Sequence, residues 1–156
     1  MNKGEQAVEY YNKNFNCSQG VFTVFAKEQG IDEELALKIS TNFGGGARKG
    51  ELCGAVAGAL MALGLFYGHS DGKNQEEKSK AYSIAEEFMD RFIAAKGTVV
   101  CRELLGYDLT KPEERAQILE KDLFHCICPE MIRCSATIVD EMIREKNTDC
   151  GLKDFY

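Results

Sequence analysis

Apolar residues along the chain recur at three- and four-residue spacing, and every periodic segment reads as helix with no hairpin signal between them. Ala7, Val8, Tyr11 and Phe15 mark a first helix. A second runs from about Cys17 to Gln29, with Val21, Phe22 and Phe25 turned inward and Gly30 as its stop. Asp32 is placed to cap a third, with Glu33 and Glu34 in the positive first turn and Leu35 and Ile39 on one face. The glycine-rich stretch NFGGGARKGE, from Asn42 to Glu51, interrupts the helices with a loop flexible enough to approach a ligand closely.

The segment from Leu52 to Gly68 (LCGAVAGALMALGLFYG) carries no charge and is built largely of glycine, alanine and aliphatic residues. It falls short of the ~20 apolar residues of a membrane span and reads as a buried central helix closed by Gly68. Gly54 and Gly58 lie four residues apart on one face of it, a spacing that lets a neighbouring helix come close. A long amphipathic helix follows from Asn74 to Gly97, with Ala81, Ile84, Ala85, Phe88 and Phe92 inward. VCRELLG is a short helix stopped by Gly106. In TKPE, Thr110 is expected as a cap with Pro112 in the first turn and Glu113 completing a capping box. The last long helix is expected from Pro129, with Ile132, Ala136, Val139 and Ile143 inward, before a polar tail over 147–156. With no repeat or linker, the expectation is one all-α domain over 1–156, a bundle around the Gly/Ala-rich helix.

Composition narrows the function. A length of 156 residues, 44% hydrophobic and 28% charged, fits an ordinary globular core. The net charge of −6 offers no basic face for nucleic acid. The N-terminal residues carry no apolar signal region, so a cytoplasmic location is expected. Seven cysteines are many for such a chain, and in a reducing compartment they point to redox chemistry or metal binding rather than a disulfide framework.

Four of the seven share one placement. Cys17 follows Asn16 at the second helix start, Cys53 opens the central helix, Cys101 opens CRELLG, and Cys128 stands as N-cap before Pro129. The free N–H groups and positive end of a helix favour thiolate over thiol, one route to a low cysteine pKa. Cys53, with the glycine loop before it and Arg48 and Lys49 nearby, is the choice of attacking thiol. Cys134 and Cys150 read as incidental. Cys126 and Cys128 form Cys-Ile-Cys, too tight for a common metal knuckle and not a Cys-x-x-Cys pair.

These residues resemble a small family of bacterial and archaeal proteins named C_GCAxxG_C_C after its spaced cysteines. The signature is Cys53, Gly54, Ala55, Val56, Ala57, Gly58; Cys17 in NCSQGV, Cys101 in CRELLG and Cys128 in CPEMIR supply the other cysteines. The resemblance spans roughly residues 5 to 145 and implies a redox or metal-related role, without a substrate.

GGGARKGE is not a phosphate loop, because Gly50 is followed by Glu51 and Leu52 rather than Lys and Ser/Thr. His69 reads as a surface residue, and so does His125, although its neighbouring thiols argue for metal. No acid–base carboxylate pair or serine nucleophile is evident. Three readings follow. In the first, two or more of Cys17, Cys53, Cys101 and Cys128 converge for thiol–disulfide or electron-transfer chemistry with a redox partner. In the second, the same four hold a zinc ion or an iron–sulfur cluster. In the third, the cysteines are scattered filler in a helical interaction protein. Pairing of two copies through an apolar helix face is compatible with all three.

Overall fold

The computed structural model describes residues 1–153, and side-chain burial through Cys150. Helix α1 spans Lys3–Asn12, α2 Cys17–Glu28, α3 Glu33–Ser40, α4 Gly54–Tyr67, α5 Gln75–Lys96, α6 Cys101–Leu105, α7 Pro112–Glu120, α8 Leu123–Cys126 and α9 Cys128–Lys153. The protein is an all-α bundle. Among the described residues the sole β pairing is one isolated antiparallel bridge between Leu52 and Val100.

The Gly/Ala-rich α4 packs against α2, α5 and α9. Its closest approach is to α2, and Gly58 makes it possible. A Cβ there would lie 2.7 Å from the Ser18 carbonyl oxygen and 3.2 Å from both the Phe22 nitrogen and Val21 Cβ. Ala55, Val56, Ala59 and Ala62 of α4 are fully buried beside Val21 and Phe25 of α2, Phe88 and Phe92 of α5, and Ile132, Ala136 and Val139 of α9. A second, smaller apolar cluster gathers Cys101, Leu105, Leu109 and Ile118.

Helix ends follow the expected chemistry in most places. Asn16 caps α2 in a reciprocal capping box with Gln19, and Asp32 and Asn74 cap α3 and α5. Five expectations are corrected. Thr110 does not cap α7; Lys111 holds that position, and Thr110 instead donates through N–H and hydroxyl to the Asp108 carboxylate. Leu35 and Ile39 do share a face, but it is the exposed one, because Ala36 and Ser40 are the residues of α3 that fit against the core. Phe15 lies beyond the end of α1, which Asn14 closes with φ of 69°. α9 starts at Cys128, so this cysteine is its first residue rather than its cap. The expected polar tail is helical from 147 to Lys153 as the end of α9; 154–156 lie outside the described residues.

No helix of the described residues is long and apolar enough to cross a membrane.

Candidate thiol site

Two local devices bring the helix starts together. The first is the Leu52–Val100 bridge, flanked by hydrogen bonds from Cys53 N–H to the Val99 carbonyl (2.7 Å) and from Cys101 N–H to the Glu51 carbonyl (2.6 Å). Side chains alternate across such a pair, so Cys53 and Cys101 stand on the same face, opposite Leu52 and Val100, as diagonal neighbours. The second device ties the glycine loop to α2. The Asn16 amide donates to the Thr41 carbonyl at 2.7 Å, and the Gln19 amide donates to the Leu37 carbonyl and Thr41 hydroxyl, both at 3.0 Å. Gly44 lies so close that a Cβ would fall 2.5 Å from the Asn16 side chain.

Cys17, Cys53, Cys101 and Cys128 line one cavity of about 140 Å³. Its remaining wall includes Tyr11, Leu104, Phe124, Ile127 and Met131, with Asn16, Gly45 and Arg48 at the loop side. The cavity lies on the seam between the two apolar clusters. Cys53 belongs to the main core and Cys17 packs on it, while Cys101 belongs to the smaller cluster and Cys128 packs on that. Gly54 is required here for a reason the sequence does not reveal: a Cβ would run into Cys17 Sγ and lie 2.9 Å from the Phe43 carbonyl oxygen.

The electrostatics oppose the sequence expectation. Burial pushes the Cys53, Cys101 and Cys128 thiols up to about 12 and also raises Cys17. Each ionised thiol further disfavours its neighbours, since the four act on one another across the cavity. Helix N-termini do pull the other way. N–H groups of Gly45, Ser18 and Ala55 lower Cys17, and those of Ala55 and Val56 lower Cys53, yet desolvation outweighs them. The expected effect exists and loses.

Arg48 also differs from expectation. Its guanidinium favours ionisation of Cys101. Its backbone has φ of 64° and continues a left-handed run through Gly45 (65°), Gly46 (61°) and Ala47 (54°). For the two non-glycine residues such a conformation costs roughly 1–2 kcal/mol each, so the surrounding structure enforces it.

Tyr11 was legible in the sequence only as a core position. Its hydroxyl donates to the Phe124 carbonyl at 2.8 Å, and turning that one proton toward the neighbouring Cys128 sulfur favours the ionised Cys128. Replacing Tyr11 by Phe removes that support. The labelling rate of Cys128 by iodoacetamide at pH 9, followed by mass spectrometry, is expected to fall roughly two- to tenfold, the worth of one hydrogen bond. An unchanged rate would show that the hydroxyl does not reach the sulfur.

The remaining cysteines stand apart. Cys126 and Cys150 are exposed and Cys134 is half-buried in a groove between α5 and α9. His125 is exposed and pairs through Nδ1 with Asp122 at 2.6 Å. Among the described residues, no three His, Cys, Asp or Glu side chains close on a single point where a metal ion could sit. The four thiols face a space rather than a point, and as they stand they do not fit a mononuclear zinc centre.

The family described as "Putative redox-active protein (C_GCAxxG_C_C)" matches residues 15–142. The chain belongs to this family. The matched stretch contains all four cavity cysteines, Gly54 and Gly58 of the signature, and the Arg48 loop. Tyr11 lies just before it. No curated protein and no solved structure matches the chain.

Proposed function

We propose that the protein is a cytoplasmic thiol–disulfide redox protein in which Cys53 and Cys17 form the exchanging pair, with Cys101 and Cys128 in the same cavity. The observation that carries this reading is the convergence of four thiols, each from a different helix start, on one small and mostly apolar space. Cys53 with Cys17 is favoured as the pair because Cys17 Sγ lies against Gly54, and because the Ala55 N–H favours the ionised form of both thiols.

Cys53 loses its proton and its sulfur attacks one sulfur of a substrate disulfide; the S–S bond breaks, and the departing thiolate takes up a proton. Cys17 then loses its proton and attacks Cys53 Sγ in the mixed disulfide. The second substrate thiolate leaves and is protonated. One dithiol becomes a disulfide and one disulfide becomes two thiols. A strong dithiol oxidant owes its potential to a stabilised thiolate in its reduced form. The raised thiols here give no such stabilisation, so the couple lacks that source of oxidising power.

The test is oxidation of the anaerobically purified protein with a small disulfide, followed by peptide mapping. A bridge between Cys17 and Cys53, absent in Cys53→Ser, is the expected product. No bridge among the four cavity cysteines overturns the reading. A visible charge-transfer spectrum with bound iron and sulfide would instead favour the iron–sulfur reading of the same thiols.

A further inference from the structure

Among the described residues one cation lines the cavity, Arg48, and it has no carboxylate partner. Among the described residues Arg91, Arg102, Arg133 and Arg144 each pair with a carboxylate, and Arg115 lies over the Phe124 ring. Arg48 has neither. The carboxylates near the loop are already engaged: Glu51 pairs with Arg102 at 2.7 Å, and Asp108 accepts from Thr110 at 2.6 Å and 2.9 Å. Among the described residues, no acidic side chain lines the cavity.

The backbone holds Arg48 in this place. Its guanidinium lies over Gly45, where a Cβ would fall 2.7 Å from Nη1, and the left-handed run from Gly45 to Arg48 turns the side chain back over the loop. The volume of about 140 Å³ is that of a benzene-sized ligand, so only the sulfur-bearing end of a substrate fits among the thiols. Arg48 is the exposed residue among those lining the cavity, so the rest of such a molecule stays outside beside it.

We infer that Arg48 determines the specificity of the thiol cavity, selecting low-molecular-weight disulfides that carry a carboxylate or similar anionic group. This rests on the dithiol reading above. The guanidinium forms a charge-assisted hydrogen bond to the anionic group and leaves the disulfide sulfur directed inward.

The test compares three probes of similar size at low ionic strength: dithiodiglycolate (anionic), bis(2-hydroxyethyl) disulfide (neutral) and cystamine (cationic). The readout is the second-order rate of oxidation of the reduced cavity thiols, followed by mass spectrometry. Wild-type protein is expected to prefer the anionic probe over the neutral one by roughly tenfold. Arg48→Gln should bring the two within about twofold by slowing the anionic probe more than the neutral one, and Arg48→Lys should keep part of the preference. Arg48→Gly, which suits the left-handed backbone, should behave as Arg48→Gln and guards against misfolding. Equal slowing of all three probes would mean that Arg48 acts only through thiol ionisation and would overturn the inference while leaving the dithiol reading intact. Equal wild-type rates would overturn it in the same way. No oxidation of the cavity thiols by any probe overturns the dithiol reading, and the inference with it.

Discussion

Replacing Gly58 by leucine is expected to separate α2 from α4, lower stability and abolish formation of the Cys17–Cys53 bridge. Even a single Cβ at this position meets backbone, 2.7 Å from the Ser18 carbonyl oxygen, and backbone within a helix has no rotamer to change. The leucine adds three further carbons to an interface that is already closed. Overpacking of this kind costs roughly 1–3 kcal/mol, and more where the obstacle is main chain. The functional consequence follows from position. Ser18 directly follows Cys17, so any shift of α2 that relieves the clash carries the Cys17 sulfur away from Gly54 and out of the cavity. Gly64→Ala supplies the control. That glycine also lies within α4, but a Cβ there meets nothing within 4 Å. Alanine should therefore stabilise the helix by up to about 1 kcal/mol. Thermal unfolding and peptide mapping of both variants decide the matter. A Gly58→Leu protein that melts like wild type and still forms the bridge would show that the close approach does not position Cys17.

Which parts of this site the sequence discloses depends on whether their cause is local. Cys17, Cys53 and Cys101 announce their helix starts because punctuation beside them is local: the Asn16–Gln19 capping box, the glycine loop before Cys53, Gly106 after CRELLG. Burial of α4 is equally local, since a segment with no charge over 17 positions from Leu52 to Gly68 has nowhere else to go. The misplaced cap at Thr110 has a specific cause. Asp108, two residues earlier, offers a stronger acceptor to its hydroxyl and N–H than the helix offers as donor. Leu35 and Ile39 misled in another way: their spacing marks a face correctly but does not say which way that face turns. The outcome for the thiols was decided by a balance no sequence pattern encodes. The helix-end N–H groups are visible from the sequence, whereas the desolvation that overrides them arises when two apolar clusters close around the sulfurs. The Leu52–Val100 bridge and the hydrogen bond of Tyr11 to the Phe124 carbonyl likewise join residues far apart in the chain. The left-handed run through Ala47 and Arg48 is local, but neither residue type signals it, because only the neighbouring glycines favour that conformation.

The raised thiols make a second large effect measurable. A thiol held up to about 12 has a thiolate fraction at pH 8 about a thousandfold smaller than one titrating near 9, because each unit is a factor of ten. Iodoacetamide reacts with the thiolate. In reduced folded protein at pH 8, Cys53 and Cys101 are therefore expected to be labelled about three orders of magnitude more slowly than the same residues in the denatured chain. Labelling of the cavity thiols should climb about tenfold per pH unit, with no plateau below pH 11. Stability must follow in the opposite sense. Below pH 9 the thiols are protonated in both folded and unfolded chains, and their preference for the neutral form is fully present as stability. Between about pH 9 and 12 the unfolded chain releases its thiol protons while the folded chain retains them. The unfolded state then binds fewer protons, so stability falls as pH rises, by at most about 1.4 kcal/mol per unit for each thiol. The melting temperature should decline through that window, and less steeply in Cys53→Ser. Rapid labelling of Cys53 and Cys101 at pH 8 would reverse the conclusion, since it requires thiolates in the resting protein. Only a compensating positive charge could hold several thiolates together in so dry a cavity, and the iron–sulfur reading would then be the one to pursue.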